Sequence, residues 1–428
     1  MKRDTTAKPF DRLVLRNVRC FEEATIVLDP KMTVLLGENG SGKTTVVEAL
    51  ASLTWGDDEG LPEFPLSRKA RSGEMALYEK ESDKPAASFR SGRAARRRLP
   101  NDRYLLAYGR YRRVFFPDSE TETVRSSPAL DLDELARRAS AKRTSTLFRP
   151  DNGLLRDLSR YLAAINLAGQ SDPRLAGAWN RLDRSLAELG QGIAGIKMER
   201  GKYAYVPKVI CNGIPLDLRE LSDGYQALLV IVFDLVLRYF YQFSGQDDPL
   251  LASALVVIDE VDLHLHPRWQ RTVAAQLTTL FPNTQFVLTT HSPAIVQGAI
   301  DSRRKIVTLR KEGGRAVART LSKRVLSELE GAGIGSVLLE EKLFGVTSRY
   351  SPKYSQVEER VARLQERIER GSASDEERRQ LFADMEQLQK LMVADEERRA
   401  DGSYLSRVAE LRVAFLRDLA DEIRKAKK

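Results

Sequence analysis

The nine residues GENGSGKTT, from Gly37 to Thr45, constrain this chain more than any others. They fit the pattern G-x-x-x-x-G-K-[ST], whose glycines let successive backbone N–H groups turn inward around a phosphate. Lys43 is placed to reach the β and γ oxygens as a point charge, and the Thr44 hydroxyl to ligate Mg²⁺. The pattern alone arises by chance, so its setting matters. Here the apolar run MTVLLG enters it as a strand and KTTVVEALASL leaves it as a helix. Strand, glycine-rich loop and helix in that order define an α/β protein.

The remaining chain is read around that unit. Upstream, RLVLRNVRCF and ATIVLD are rich in β-branched residues and predict strands. From about Gly56 to Pro117 glycines, prolines and basic residues dominate, including SGRAARRR at 91–98; this predicts a solvated insertion. Within it YLLAYGRYRRVFF (104–116) is apolar enough to return to the core as a strand, and its interleaved aromatics and arginines also suit stacking on bases. Residues from about Leu130 to Gly190 show helical spacing in LLRDLSRYLAAINLA and WNRLDRSLAELG, a helical subdomain. From Tyr203 to about Leu309 strands and helices alternate, as in a sheet covered by helices. KIVTLRK and RAVARTL predict a closing hairpin around EGG. Near the C-terminus Val357, Val361, Leu364 and Ile368, then Leu381, Met385 and Leu388, recur at heptad-like spacing, and SDEE (374–377) is a capping box that opens the second helix. YLSRVAELRVAFLRDLADEI is a third amphipathic helix. The expected division is 1–55 and 200–325 for two lobes of one head, 56–199 for the insertion with its helical subdomain, and 326–428 for a helical extension.

Two acids end the apolar run ALVVIDE. A buried central strand puts its C-terminal end at the ligand crevice, so Asp259 is placed to hold Mg²⁺ or its water and Glu260 to take a proton from an attacking water. FVLTTHSP is a second such strand, and His291 at its polar tip suits a contact to the γ-phosphate. LSDGYQ precedes a long apolar helix; Ser222 and Gly224 there suit anion binding by a helix N-terminus, although a plain Ser N-cap would look the same. DLHLHP holds His264 and His266, two of only three histidines. A zinc site there would need further His or Cys ligands, and the two cysteines, Cys20 and Cys211, lie far off in sequence.

The ordered set GENGSGKTT, LSDGYQ, VVIDE, HLHP, TTHS resembles the ABC-type ATPases, in the branch with RecF, the SMC heads and the overcoming-lysogenization-defect ATPases. The resemblance covers roughly residues 10–55 and 200–310. It implies an α/β ABC-type (P-loop) ATPase head with an inserted helical subdomain and a C-terminal helical extension. It implies ATP and Mg²⁺ as cofactors: Gly37, Asn39, Gly40, Ser41, Gly42, Lys43, Thr44 and Thr45 hold the nucleotide, and Thr44 and Asp259 hold the metal. Glu260 then corresponds to the catalytic base and His291 to the switch histidine. It also implies a head-to-tail homodimer with ATP sandwiched between copies, in which Ser222 and Gly224 of one copy meet the γ-phosphate held by the other. DLHLHP falls at the loop that crosses such an interface. LSDGYQALL, DEVDLHLHPRWQ, FPNTQFVLTTHSP and LLEEKLFG further resemble bacterial ATP-binding proteins that include the ATPase subunits of Septu-type and retron-linked antiphage systems, which act with a separate nuclease or toxin. The chain departs from the pattern at one place: no glutamine occurs before Gln170, so AYGRYRR takes the position where such ATPases couple a glutamine to the metal.

The formal net charge of +9 suits phosphate contacts, DNA or RNA included, but also a merely soluble surface. No apolar run reaches bilayer length and MKRDTTAKPFDRL lacks a signal-peptide core, so the expectation is a cytoplasmic chain that does not enter the membrane. No nuclease site is found in it. Three functions compete: an ATP-driven switch that gates an effector nuclease or toxin, a RecF-like DNA-repair ATPase, and a scaffold that binds ATP without turnover. The presence of Glu260 argues against the third.

Overall fold

The computed structural model describes residues 8–53, 72–90, 104–110, 173–188, 192–200, 205–243, 246–331, 341–344 and 352–370, with single positions between 96 and 170 and between 374 and 385. Met1–Gly345 forms one compact unit and Val346–Lys428 a second.

The first unit is built on a six-stranded sheet of order β14-β13-β3-β12-β11-β7. Its strands are β3 (Met32–Gly37), β7 (Leu105–Tyr108), β11 (Ala254–Ile258), β12 (Thr284–Thr290), β13 (Lys305–Glu312) and β14 (Arg315–Thr320). All neighbours are parallel except β13 and β14, the predicted hairpin. Its two-residue turn places Gly313 and Gly314 at φ 57° and 82°, the left-handed pair that matches strand twist. Parallel strands are buried on both faces, which is why they read as unbroken apolar runs. Alternation then assigns side chains to two layers. Met32, Val34, Leu36, Val256, Ile258, Phe286 and Leu288 share one core with α3 (Asp223–Gln242), α4 (Pro267–Leu280) and α5 (Pro293–Asp301). Leu35, Leu255, Val257 and Val287 point to the other, which holds α1 (Lys43–Ser52) and an antiparallel sheet.

That second sheet has the order β2-β1-β4-β5-β6, and it takes residues 74–90 out of the solvated insertion expected over 56–117. β1 (Phe10–Val18) and β2 (Phe21–Val27) are the expected strands. β4 (Glu74–Glu79) and β5 (Pro85–Arg90) extend them, followed by the two-residue β6 (Arg96–Arg97). Met75, Leu77 and Ala87 are at most 1% exposed. EMALYE buries Met75, Ala76 and Leu77 in succession between a half-buried Glu74 and Glu79; the surrounding basic residues obscured so short an apolar run. Of YLLAYGRYRRVFF, Leu105–Tyr108 returns to the core as the expected strand and pairs with β11. A third, three-stranded sheet, β10-β9-β8, comprises β8 (Ile193–Arg200), β9 (Tyr205–Cys211) and β10 (Ile214–Asp217). The sequence reading anticipated only KVICNG of these strands.

Of the expected helical subdomain, α2 (Pro173–Glu188) is described; apart from single positions, the rest of 130–190 and residues 111–116 lie outside the described residues. The head also runs past residue 325. Val325 and Leu329 of α6 (Lys323–Leu329) are buried in the first core, as is Leu343 of α7 (Glu341–Phe344). In the second unit Val357, Val361 and Leu364 of α8 (Pro352–Glu369) bury against Leu381, with Ile368 and Met385 packed alongside. The capping box is reciprocal: Ser374 N donates to Glu377 Oε2 at 2.9 Å and Glu377 N to Ser374 Oγ at 3.2 Å. Leu388 and the third helix lie outside the described residues. Among the described residues no helix is long and apolar enough to cross a membrane.

Candidate functional site

Parallel pairing brings the C-terminal ends of β3, β7, β11 and β12 to one edge of the sheet, and the phosphate loop, Asp259, Glu260 and His291 meet there. The phosphate loop turns through Gly40 and Gly42 at φ 73° and 104°, conformations that side chains rarely adopt. A Cβ on Gly42 would also lie 2.6 Å from the Phe21 ring and 2.9 Å from Cys20 Sγ. The turn between β1 and β2 therefore packs directly against the loop. Gly37 is equally confined, with Ser41 Oγ 2.5 Å from where its Cβ would stand. Ser41 Oγ itself is buried without a hydrogen-bond partner. A buried hydroxyl left open beside a backbone cradle fits an anion. Lys43 Nζ donates to Gly37 O at 2.7 Å and Glu38 O at 2.9 Å, so the ammonium folds over the loop. Burial lowers its pKa, partly offset by Asp259, Glu260 and Asp262. Asn39 and Gly40 are exposed, and Thr45 is buried on α1.

The carboxylates stand opposite. Asp259 is 2% exposed; its Oδ2 accepts from Thr44 Oγ1 at 3.0 Å and its Oδ1 from Thr289 Oγ1 at 2.6 Å. A threonine hydroxyl and a carboxylate are hard oxygen donors of the kind Mg²⁺ takes alongside phosphates and water. Glu260 sits at φ 48°, an uncommon angle for a non-glycine residue, and its N–H donates to Thr289 Oγ1 at 2.7 Å. His291, half-buried after β12, has its pKa lowered by burial first and by Lys43 second; Asp262, Glu260 and Asp259 act in the opposite sense. His291 thus shares one electrostatic cluster with the phosphate-loop lysine and the acids. Tyr108 ends β7 beside them, its carbonyl accepting from Asp259 N at 2.8 Å. This puts Gly109 and Arg110 of AYGRYRR at the same edge.

Ser222 and Gly224 lie elsewhere. Ser222 is the N-cap residue of α3, but its side chain makes no cap hydrogen bond and is exposed. A Cβ on Gly224 would stand 2.9 Å from His264 O and 3.6 Å from His266 N. The start of α3 therefore seats on the DLHLHP turn, reinforced by an edge-to-face pair of Tyr225 and Trp269, centroids 4.1 Å apart. His264, at φ 65°, is exposed. His266 caps α4, its Nδ1 accepting from Arg268 N at 3.3 Å. Among the described residues no hydrogen bond joins Ser222 or Gly224 to the phosphate loop of the same chain.

Residues 12–136 match the family described as an AAA domain, and residues 211–297 match "AAA domain, putative AbiEii toxin, Type IV TA system". The chain carries AAA-type ATPase domains. It is 39% identical over 99 residues to the Retron Vc95 probable ATPase of Vibrio cholerae serotype O1 biovar El Tor, which covers 23% of this chain and 19% of that protein. It is 24% identical over 325 residues to the Septu protein PtuA of Bacillus mycoides (strain KBAB4), covering 73% of this chain and 40% of that protein. The chain thus spans well under half the length of these relatives. A solved Smc head domain bound to the C-terminal domain of ScpA, from Pyrococcus furiosus, overlaps 76% of this chain and 98% of that one at 15% identity and a TM-score of 0.43.

Within the ATPase domain, sequence reasoning missed three residues that the fold brings to the site. Thr289 bonds both Asp259 and Glu260; its signal was a polar residue inside an apolar strand. Arg19 pairs with Glu48 of α1 at 2.5 Å, beside the phosphate loop, and nothing in the sequence marks that pairing. Gln270, on the first turn of α4, bonds two of the site's turns.

Proposed function

We propose that this chain binds and hydrolyses ATP in the cytoplasm as a head-to-tail homodimer, and that the dimer gates a separate effector, a nuclease or toxin, in antiphage defence. The observation that carries the reading is the split just described. Lys43, Thr44, Asp259, Glu260 and His291 gather at one edge of the sheet, while Ser222 and Gly224 sit on another turn with an unused hydroxyl. A nucleotide held by one copy would then be completed by α3 of a second. The relatives support the defence setting, since a Septu protein aligns over most of this chain.

In this reading Gly37–Thr45 hold the phosphates, with Asn39 and Lys43 toward the γ end. Thr44 and Asp259 would hold Mg²⁺, which neutralises phosphate charge when bound. Glu260 accepts a proton from the attacking water; a positioned base contributes about 10²–10⁴-fold. His291, kept neutral by burial and by Lys43, donates a hydrogen bond to the γ-phosphate without adding a charge. Ser222 and the N-terminus of α3 present N–H groups and a positive dipole end to that phosphate.

The test is Glu260→Gln, purified with ATP and Mg²⁺ after co-expression with the neighbouring genes. The expected result is an ATP-bound dimer with turnover reduced at least 10²-fold and a stoichiometric effector in the eluate. A variant that stays monomeric with ATP and hydrolyses it normally removes the catalytic assignment. Co-elution of nucleic acid alone, lost at high salt, would favour the DNA-repair alternative.

A further inference from the structure

Gln270 projects between the two turns that follow β11 and β12. Its Nε2 donates to Leu265 O at 2.8 Å and, at longer range, to Asp262 O at 3.5 Å. Its Oε1 accepts from Ser292 Oγ, the residue after His291. The orientation of the amide follows from its partners. Carbonyls only accept, so the amide N–H₂ must face residues 262–265. Ser292 Oγ already accepts from Ala294 N at 3.1 Å and Ile295 N at 3.4 Å, so its proton is left for Gln270. The bases of the same two turns are joined independently, by Glu260 N to Thr289 Oγ1 at 2.7 Å and Val261 N to Thr289 O at 2.9 Å. Gln270 closes the far end of that frame. Neither helix start needs it: His266 caps α4 and Ser292 caps α5. Beyond Leu265 the frame continues to His264 O, against which Gly224 packs.

We propose that Gln270 is a positioning residue that locks the 261–266 turn to the 290–292 turn, so that His291 and the surface carrying Gly224 keep one fixed relation. The inference rests on the proposed ATPase dimer. His291 serves the nucleotide of its own copy, whereas the 261–266 turn and α3 face the second copy's nucleotide. A side chain bonded to both turns makes the geometry of one depend on the other. Gln270 touches no phosphate in this scheme and acts through Ser292, Leu265 and, at longer range, Asp262.

Two variants of the full chain test it. Gln270→Glu keeps size and the acceptor but loses the donor; Gln270→Met keeps size and loses both. Nucleotide binding is read with a fluorescent ATP analogue, unfolding by thermal melt, and turnover by phosphate release. The expected result is ATP affinity within about twofold and an unchanged melt, with kcat reduced roughly tenfold or more, since small misplacements of catalytic groups cost that much. Ser292→Ala combined with Gln270→Met should be no slower than the worse single variant, because the two act as one unit. Unchanged kcat in both variants overturns the proposal. A fall in kcat that merely tracks lower melting and weaker ATP binding overturns it too, leaving Gln270 a packing residue. Absence of turnover in the unmodified chain is a separate failure, that of the ATPase reading itself, and takes this inference with it.

Discussion

The Lys43 ammonium and the Thr44 and Asp259 oxygens are held by groups of their own chain, whereas the Ser222 hydroxyl makes no capping bond and faces solvent. Both places begin a helix, and both begin it with small residues. The difference lies in what stands opposite. The phosphate loop faces three parallel strand ends that carry acids and hydroxyls. The start of α3 faces the 264–266 backbone and the Trp269 ring, and its Ser222 side chain is exposed. A helix N-terminus with unsatisfied N–H groups offers a half-site. In the proposed dimer one rim is pre-arranged by its own fold and the other becomes complete only across an interface.

The largest expected effects separate those two rims. Lys43→Ala removes the ammonium that the proposed site offers to the phosphates and should weaken ATP binding by about 3 kcal/mol, roughly 10²-fold. Ser222→Arg should leave ATP binding by the monomer within about twofold yet abolish turnover. Mixed in equal amounts, the two inactive proteins should regain activity. Half the dimers would be mixed, each with one intact composite site, so recovery should reach about a quarter of normal in a twofold assembly. No recovery, with dimers forming normally, would mean that each copy acts alone. Gly224→Ala is a milder version. Its methyl would stand 2.9 Å from His264 O, so the turn must shift; turnover should drop roughly tenfold with ATP affinity intact. Equal loss of both would place α3 beside its own phosphate loop.

The same contrast governs what was legible beforehand. Gly37–Thr45, Asp259, Glu260 and His291 could be read because strand ends and glycine patterns announce local chemistry. Their convergence then follows from the parallel register of β3, β11 and β12. Thr289 and Gln270 could not be read, because their role depends on which strand and turn lie next to them in space. β4 and β5 were missed for a compositional reason: their short runs of consecutive buried residues, Met75–Leu77 and Ala86–Ala87, are diluted by the charges around them. β8 was missed because its eight residues carry Gly195, Lys197, Glu199 and Arg200 among the apolar ones, and β10 because it has only four residues. In the second unit, by contrast, the heptad-like spacing and the 374–377 box were both legible, since helical partners lie three or four residues apart.

The smallest effect sharpens the electrostatic side of the comparison. Burial, then Lys43, lowers the pKa of His291 below its ordinary value of 6.5. A histidine with a depressed folded-state pKa is less readily protonated in the native chain than in the unfolded one. The unfolded state therefore binds more protons between the two values, and stability falls as pH drops below 6.5 through that window. Lys43→Ala removes one of the two lowering causes, so the His291 pKa should rise toward 6.5 and the acid-side loss of stability should shrink. With only three histidines in the chain, each titration can be followed by imidazole proton NMR and assigned by single substitution. His264 and His266, both exposed on the other rim, serve as internal controls. If all three move together, the change is global and His291 is not coupled to the phosphate loop. If His291 alone moves upward, the lysine and the histidine share one field, the condition for both to act on the same phosphate.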